Sequence, residues 1–307
     1  MKGNAKRRGG PLLLLSVVMA SFLLLCGASN TDDHILLIPR LQSGDMLRYE
    51  SHARLNRYVK TKSSVATMFE PRPLNIDFST NLELSVEDFH SLDHRPMMAA
   101  VTQLYANGGP DMGAVQHTRK VEFTIGGDGS LTHAVGLEDL EPEDRLAWQF
   151  WVAQFAFGWT LPPSGVKPSE KWKSVEVEQT PTPIADLVWD REATYVQDDA
   201  CPILRNEQCA VFLINATLRQ KSNPKNTTPE DYKLHELKTS GTANGHNETV
   251  VYISRDTGLL LRASEDIEQS MDVTIAKADG SNQVQYLVEV KSHFETVFAP
   301  KAQTHTP

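Results

Sequence analysis

The chain has 307 residues, 40% of them apolar and 22% charged, with 30 basic and 39 acidic side chains. This balance describes a globular protein and excludes a collagen-like, disordered or polytopic membrane chain. A net charge of −9 opposes attraction to phosphate backbones, so nucleic acid is not an expected partner.

At the N-terminus Lys2, Lys6, Arg7 and Arg8 precede the apolar run from Leu12 to Leu25, and the small residues Cys26, Gly27 and Ala28 follow. A positive flank, a short apolar segment and a small-residue exit form the pattern of a secretory signal over residues 1–28. The 14-residue run falls short of the ~20 needed to span a bilayer as a helix. Cleavage after Ala28 is the expectation, and membrane association follows only if Cys26 is lipidated or the signal is retained. Leu25 stands where a bacterial lipobox carries a small residue. The four basic residues leave with the signal, so 26 basic side chains face 39 acidic ones, a net charge of −13.

From about residue 35 to residue 298 the pattern has period two. Ile76, Phe78, Thr80, Leu82, Leu84 and Val86 alternate with polar residues, as on a strand with one buried and one wet face. Within this region His90 and His94 are spaced i, i+4. That spacing lets two imidazoles grip a transition metal, with Asp88 or Asp93 assisting and His117 or His133 as a further ligand; a solvated turn is the plainer reading. Val121, Phe123 and Ile125 then lead into Gly126-Gly127-Asp128-Gly129, a hairpin turn.

Residues 141–158 break the alternation and predict a helix, with Pro142 at its first position, Glu143 and Asp144 at the positive end of the dipole, and Gly158 as its stop. Trp148, Phe150, Trp151, Phe155, Phe157 and Trp159 place six aromatic residues within 12 positions here. A helix apolar nearly all round must be enclosed. It plugs a β-sheet as structural core, or part of its aromatic surface lines a cavity for an apolar ligand.

Alternation resumes at Val175 and Val177 and continues through Val211 and Leu213, Val250 and Tyr252, and Val284 to Val290. Cys201 and Cys209, with seven residues between them, are the two cysteines left after export. In an oxidising compartment they pair as a local staple contributing roughly 2 to 3 kcal/mol. Asn215, Asn226 and Asn247 each begin an Asn-x-Thr tripeptide, which matters only in a eukaryotic secretory pathway. The stretch from Arg219 to Asp231 reads as a loop, Asp256-Thr257-Gly258 as a second hairpin turn, and residues 299–307 as a disordered tail.

Two landmarks share nearly one offset: Asp45 with Glu170 (125) and Asp128 with Asp256 (128). This points to two similar half-barrel-like β modules, 35–137 and 166–298, joined by the aromatic helix. The predicted fold is thus mainly β, antiparallel, with one buried apolar helix. Pro163 to Trp172, with its Pro-x-x-Val-x-x-x-Glu-x-Trp phrase, and the Asp256 to Gly258 hairpin resemble a group of secreted bacterial proteins of unknown function. In architecture alone the chain also resembles the lipoprotein-carrier half-barrels of the bacterial envelope. That resemblance implies a cavity for acyl chains between sheet and helix, and transfers no functional residue.

Catalytic signatures are few. Neither a G-x-S-x-G elbow, nor H-E-x-x-H, nor a phosphate loop occurs, and no cofactor is expected. The adjacent acids Glu143 with Asp144 and Asp198 with Asp199 point apart on most backbones, which suits solvation better than glycosidase chemistry. The leading expectation is an exported non-enzymatic module that binds a lipid or an envelope partner beside the helix. The alternatives are a structural or protein-interaction module without a small ligand, and a metal-assisted hydrolase using His90 and His94.

Overall fold

The structure is a computed structural model that describes residues 34–63, 74–87, 97–107, 114–127, 129–178, 182–204 and 206–300. The leader at 1–28, the His90 and His94 pair, Asp128, and residues 301–307 of the expected tail lie outside the described residues.

Period-two alternation becomes strands throughout. β1 (Met46–Ser63), β2 (Leu74–Val86), β3 (Met98–Asn107), β4 (Ala114–Ile125) and β5 (Leu131–Val135) form an antiparallel meander. Helix α1 (Pro142–Ala156) and a 3-10 turn over Phe157–Thr160 carry the chain to the opposite edge. There a second meander begins, consisting of β6 (Lys171–Val177), β7 (Leu187–Ala200), β8 (Gln208–Gln220), the short helix α2 (Glu230–Leu234), β9 (Leu237–Ser254), β10 (Leu260–Lys277) and β11 (Val284–Phe298). β11 pairs with β1, so the eleven described strands make one antiparallel sheet in the order β5-β4-β3-β2-β1-β11-β10-β9-β8-β7-β6.

The stretches 35–137 and 166–298 each contribute one meander to this shared sheet, and the chain from Ile35 onward forms one compact unit. Their landmarks fall at matching places. Asp45 and Glu170 each precede the first strand of a meander, and the turns at 126–130 and 256–258 each join its fourth and fifth strands.

The sheet curls around the helix, as simple lengths require. Trp148 meets Phe123 on β4 and Phe157 meets Phe212 on β8, both with ring centroids 5.4 Å apart. Nine helical residues advance about 14 Å, whereas the seven strand-to-strand steps from β4 to β8 total about 34 Å. Two aromatic side chains do not close that gap, so the strands must bend toward the helix. Trp151 is fully buried in the main core beside Phe123 and Phe155, and Phe155 in turn meets Tyr49.

The N-terminal end of α1 is tied to β4. Asp144, buried in the first helical turn, pairs with His117 Nδ1 at 3.0 Å and Arg119 Nε at 3.3 Å. An acid there also complements the helix dipole.

At the other end, Gly158 does not stop the helix as the sequence predicts. Helical geometry ends at Ala156, and the 3-10 turn continues through Gly158, where an added Cβ would sit 3.3 Å from Pro39 Cγ. Close approach, not termination, sets this residue. Gly258 is more constrained: its φ is +70° and an added Cβ would lie 2.4 Å from the Ile38 carbonyl oxygen. The strap of residues 35–40 that needs this clearance bridges Val166 through Ile35, and the Arg40 N–H donates to the Thr257 carbonyl at 2.8 Å.

Candidate ligand-binding site

Strand register defines the inner wall. One row of paired residues runs Ile76, Leu55, Ser292, Ile267, Asn247, Ala216, Arg191 across β2, β1, β11, β10, β9, β8 and β7. The next row toward the Ser63 end of β1 runs Leu74, Arg57, Val290, Gln269, Gly245, Leu218, Trp189. Between these rows and α1 lies a cavity of about 440 Å³. Its β1, β2 and β11 side is mainly aliphatic, with Leu55, Val59, Leu74, Ile76 and Val290 interrupted by Arg57 and Ser292, and the helix contributes Leu146, Gln149, Phe150 and Ala153.

The helix sequence explains why this space exists. Trp148, Trp151 and Phe155 fall on one face and pack into the core, whereas Leu146, Gln149, Phe150 and Ala153 fall on another and line the cavity. A third face brings Gln154 to the sheet, where its Nε2 donates to Glu265 at 3.4 Å. Each face meets protein or cavity, which is why the segment reads as apolar all round.

The opposite wall is polar. Glu265 is buried and accepts hydrogen bonds from Gln154 and from Asn247 Nδ2, the latter at 2.5 Å, while Thr249 donates to Asn247 Oδ1 at 2.9 Å. Burial pushes the Glu265 carboxyl above the ordinary glutamate range; the positive charge of Arg191 and the bonds from Asn247 and Gln154 pull it partly back, and the charge of Glu176 pushes it up again. Arg191 pairs through NH1 with Glu176 at 2.8 Å. Glu178 accepts from Trp189 Nε1 at 2.9 Å and from Gln269 Nε2 at 3.2 Å. Glu176, Glu178, Arg191, Asn247, Glu265 and Gln269 thus concentrate hydrogen-bonding groups on one side of the cavity, where the other side has Arg57 and Ser292.

Of the six aromatic residues singled out from the sequence, the structure places Phe150 on the cavity, stacked on Phe294 at 3.4 Å. Trp148, Trp151 and Phe155 are buried in the core, and Phe157 and Trp159 pack against it half-buried. The pair His90 and His94 lies outside the described residues, and His117 is engaged with Asp144. Among the described residues no group of three or more His, Cys, Asp or Glu is arranged to hold a metal ion. Cys201 and Cys209 form the expected disulfide, closing the turn between β7 and β8. Asp198 is held by Tyr195 and Arg255, and Asp199 caps the Ala200 N–H. Asn247, first residue of one Asn-x-Thr tripeptide, is buried against Glu265, whereas Asn226 is exposed in a loop.

Sequence reasoning missed the polar wall, although a signal was available. Arg57 stands between Leu55 and Val59, Arg191 between Trp189 and Ala193, and Glu265 between Ala263 and Ile267. A charged residue on the apolar phase of an alternating strand is placed on the inner face, where a charge is costly unless it is paired or used.

No protein-family model matches this chain, and no curated protein matches it. Among solved structures, an outer membrane channel from Pseudomonas putida F1 aligns over 88% of this chain and 99% of its own at 7% identity, with a TM-score of 0.17. A porin variant from Rh. blastica aligns over 83% and 100% at 6% identity, with a TM-score of 0.20. At such scores the likeness carries no argument about this protein.

Proposed function

We propose that this protein is an exported, non-enzymatic binding module that holds an apolar ligand in the cavity beside α1. The cavity itself carries the reading. Its volume of about 440 Å³ lies within the range of small-molecule sites, and aliphatic walls with a few convergent polar groups are the usual composition of such sites. Export draws support from the leader pattern and from the Cys201–Cys209 bridge, which suits an oxidising compartment. A sheet curled over one apolar helix is also what the resemblance to lipoprotein carriers leads one to expect.

Native mass spectrometry of protein purified without harsh detergent tests this directly. Co-purified lipid is the expected result. Protein that is consistently empty and binds no fluorescent fatty-acid probe would overturn it.

One observation favours a protein-interaction module instead. Among the described residues β6 is the last strand of the sheet, with Val175 59% exposed, and an edge strand can accept a partner strand. Capture of an envelope protein, lost on Val175→Lys, with no bound small molecule, would support this alternative.

A further inference from the structure

We infer that the cavity takes a single-chain amphiphile, seating an uncharged head group such as a hydroxyl or amide against Arg191, Asn247 and Glu265, with its alkyl chain along Ile267 and Leu55. This deepens the reading given above and rests on it.

The row from Arg191 to Ile76 supplies the first argument. It is polar at the β7 and β9 end and, apart from Ser292, apolar from Ile267 onward. From Arg191 to Leu55 the row crosses five strand-to-strand steps, about 24 Å. A ligand with one polar end and one long apolar body matches both dimensions.

The second argument comes from unsatisfied atoms. Arg191 Nε is buried without a hydrogen-bond partner, although NH1 of the same guanidinium holds Glu176. Behind Glu265, Gln154 is only 4% exposed and its Oε1 likewise has no partner. Buried polar atoms left unpaired are costly, and of these two residues Arg191 lines the cavity. A head group that both accepts and donates can bond Arg191 Nε and a Glu265 oxygen together.

Charge then selects among head groups. An anionic head would lie beside Glu176, and a cationic head beside the Arg191 guanidinium that Glu176 already pairs with. An uncharged head avoids both repulsions. Burial already favours the neutral form of Glu265, so the wall does not call for a counter-charge.

The test is a competition series on the full chain with N-phenylnaphthylamine, an uncharged apolar fluorophore, as the reporter. Hexadecanol, hexadecanamide, hexadecyl sulfate and hexadecyltrimethylammonium compete below their aggregation concentrations. The alcohol and the amide should compete about tenfold more tightly than either charged chain, a difference of about 1.4 kcal/mol. Arg191→Met should erase that preference, so that all four chains compete alike against the dye. The double variant Arg191→Met, Glu176→Gln removes both partners of the ion pair and serves if the single variant does not fold. Equal competition by all four chains, or preference for a charged one, would overturn the head-group assignment while the cavity reading stands. Failure of the dye and of every chain to bind would overturn the cavity reading itself and the assignment with it.

Discussion

The two levels of the interior are built from the same strands and are filled differently. Toward the Met46 end of β1, Tyr49, Leu82, Phe123, Trp148, Trp151 and Phe155 close into one buried cluster. Toward the Ser63 end, Leu55, Val59, Leu74 and Ile76 face open space. Length explains the contrast. A strand of 18 residues such as β1 extends about 60 Å, whereas a helix with its side chains is about 10–12 Å across. One crossing helix can plug one level of such a sheet and no more. The comparison teaches that the cavity is the geometric remainder of long strands and a single plug, and that its walls need no special fold to exist.

Removing the plug should have the largest effect. Trp151→Ala is expected to destabilise the protein by about 3–5 kcal/mol, the usual cost of truncating a large buried aromatic residue, as read by urea denaturation. A loss below about 1 kcal/mol would mean that the closed level is not closed. Loss of the disulfide by Cys201→Ser with Cys209→Ser comes next, at about 2–3 kcal/mol. It should appear as a lower denaturation midpoint without loss of ligand binding, because the bridge lies at the β7–β8 turn and not on the cavity wall.

Filling the open level gives the converse result. Ala153 lines the cavity from an exposed position on α1, so Ala153→Trp should change stability by less than about 0.5 kcal/mol and weaken fluorescent-probe binding at least tenfold. Unchanged binding would move the ligand elsewhere.

The smallest effect concerns pH. Glu265 has its carboxyl raised by burial, so the folded protein holds this proton more tightly than the unfolded chain does. Its contribution to stability is complete below the ordinary glutamate range and declines as pH rises through the raised value. Thermal melts from mildly acidic to neutral pH should therefore fall with pH more steeply in the native protein than in Glu265→Gln. Parallel slopes would show that Glu265 is not the group responsible.

Much of the closed level was legible in the sequence. Alternation at Ile76 to Val86 and at Val121 to Ile125 located strands, and the density of aromatic residues from Trp148 to Trp159 announced an enclosed helix. The open level was much less legible. Phe150 was grouped with five neighbours that pack into or against the core, because periodicity gives the faces of a helix without saying what each face meets. Arg191 and Glu265 were passed over because their meaning depends on pairing through Asn247 and Ala216, strands apart in sequence.

Local chemistry by itself therefore determined the strands, the helix and the cysteine bridge. Each depends on residues within a few positions of one another, through backbone geometry and the alternation of faces. Tertiary structure alone decided that β11 returns to β1, that both meanders share one curled sheet, and that a polar wall faces an aliphatic one across a cavity. These arise from register between distant strands, which no single segment encodes.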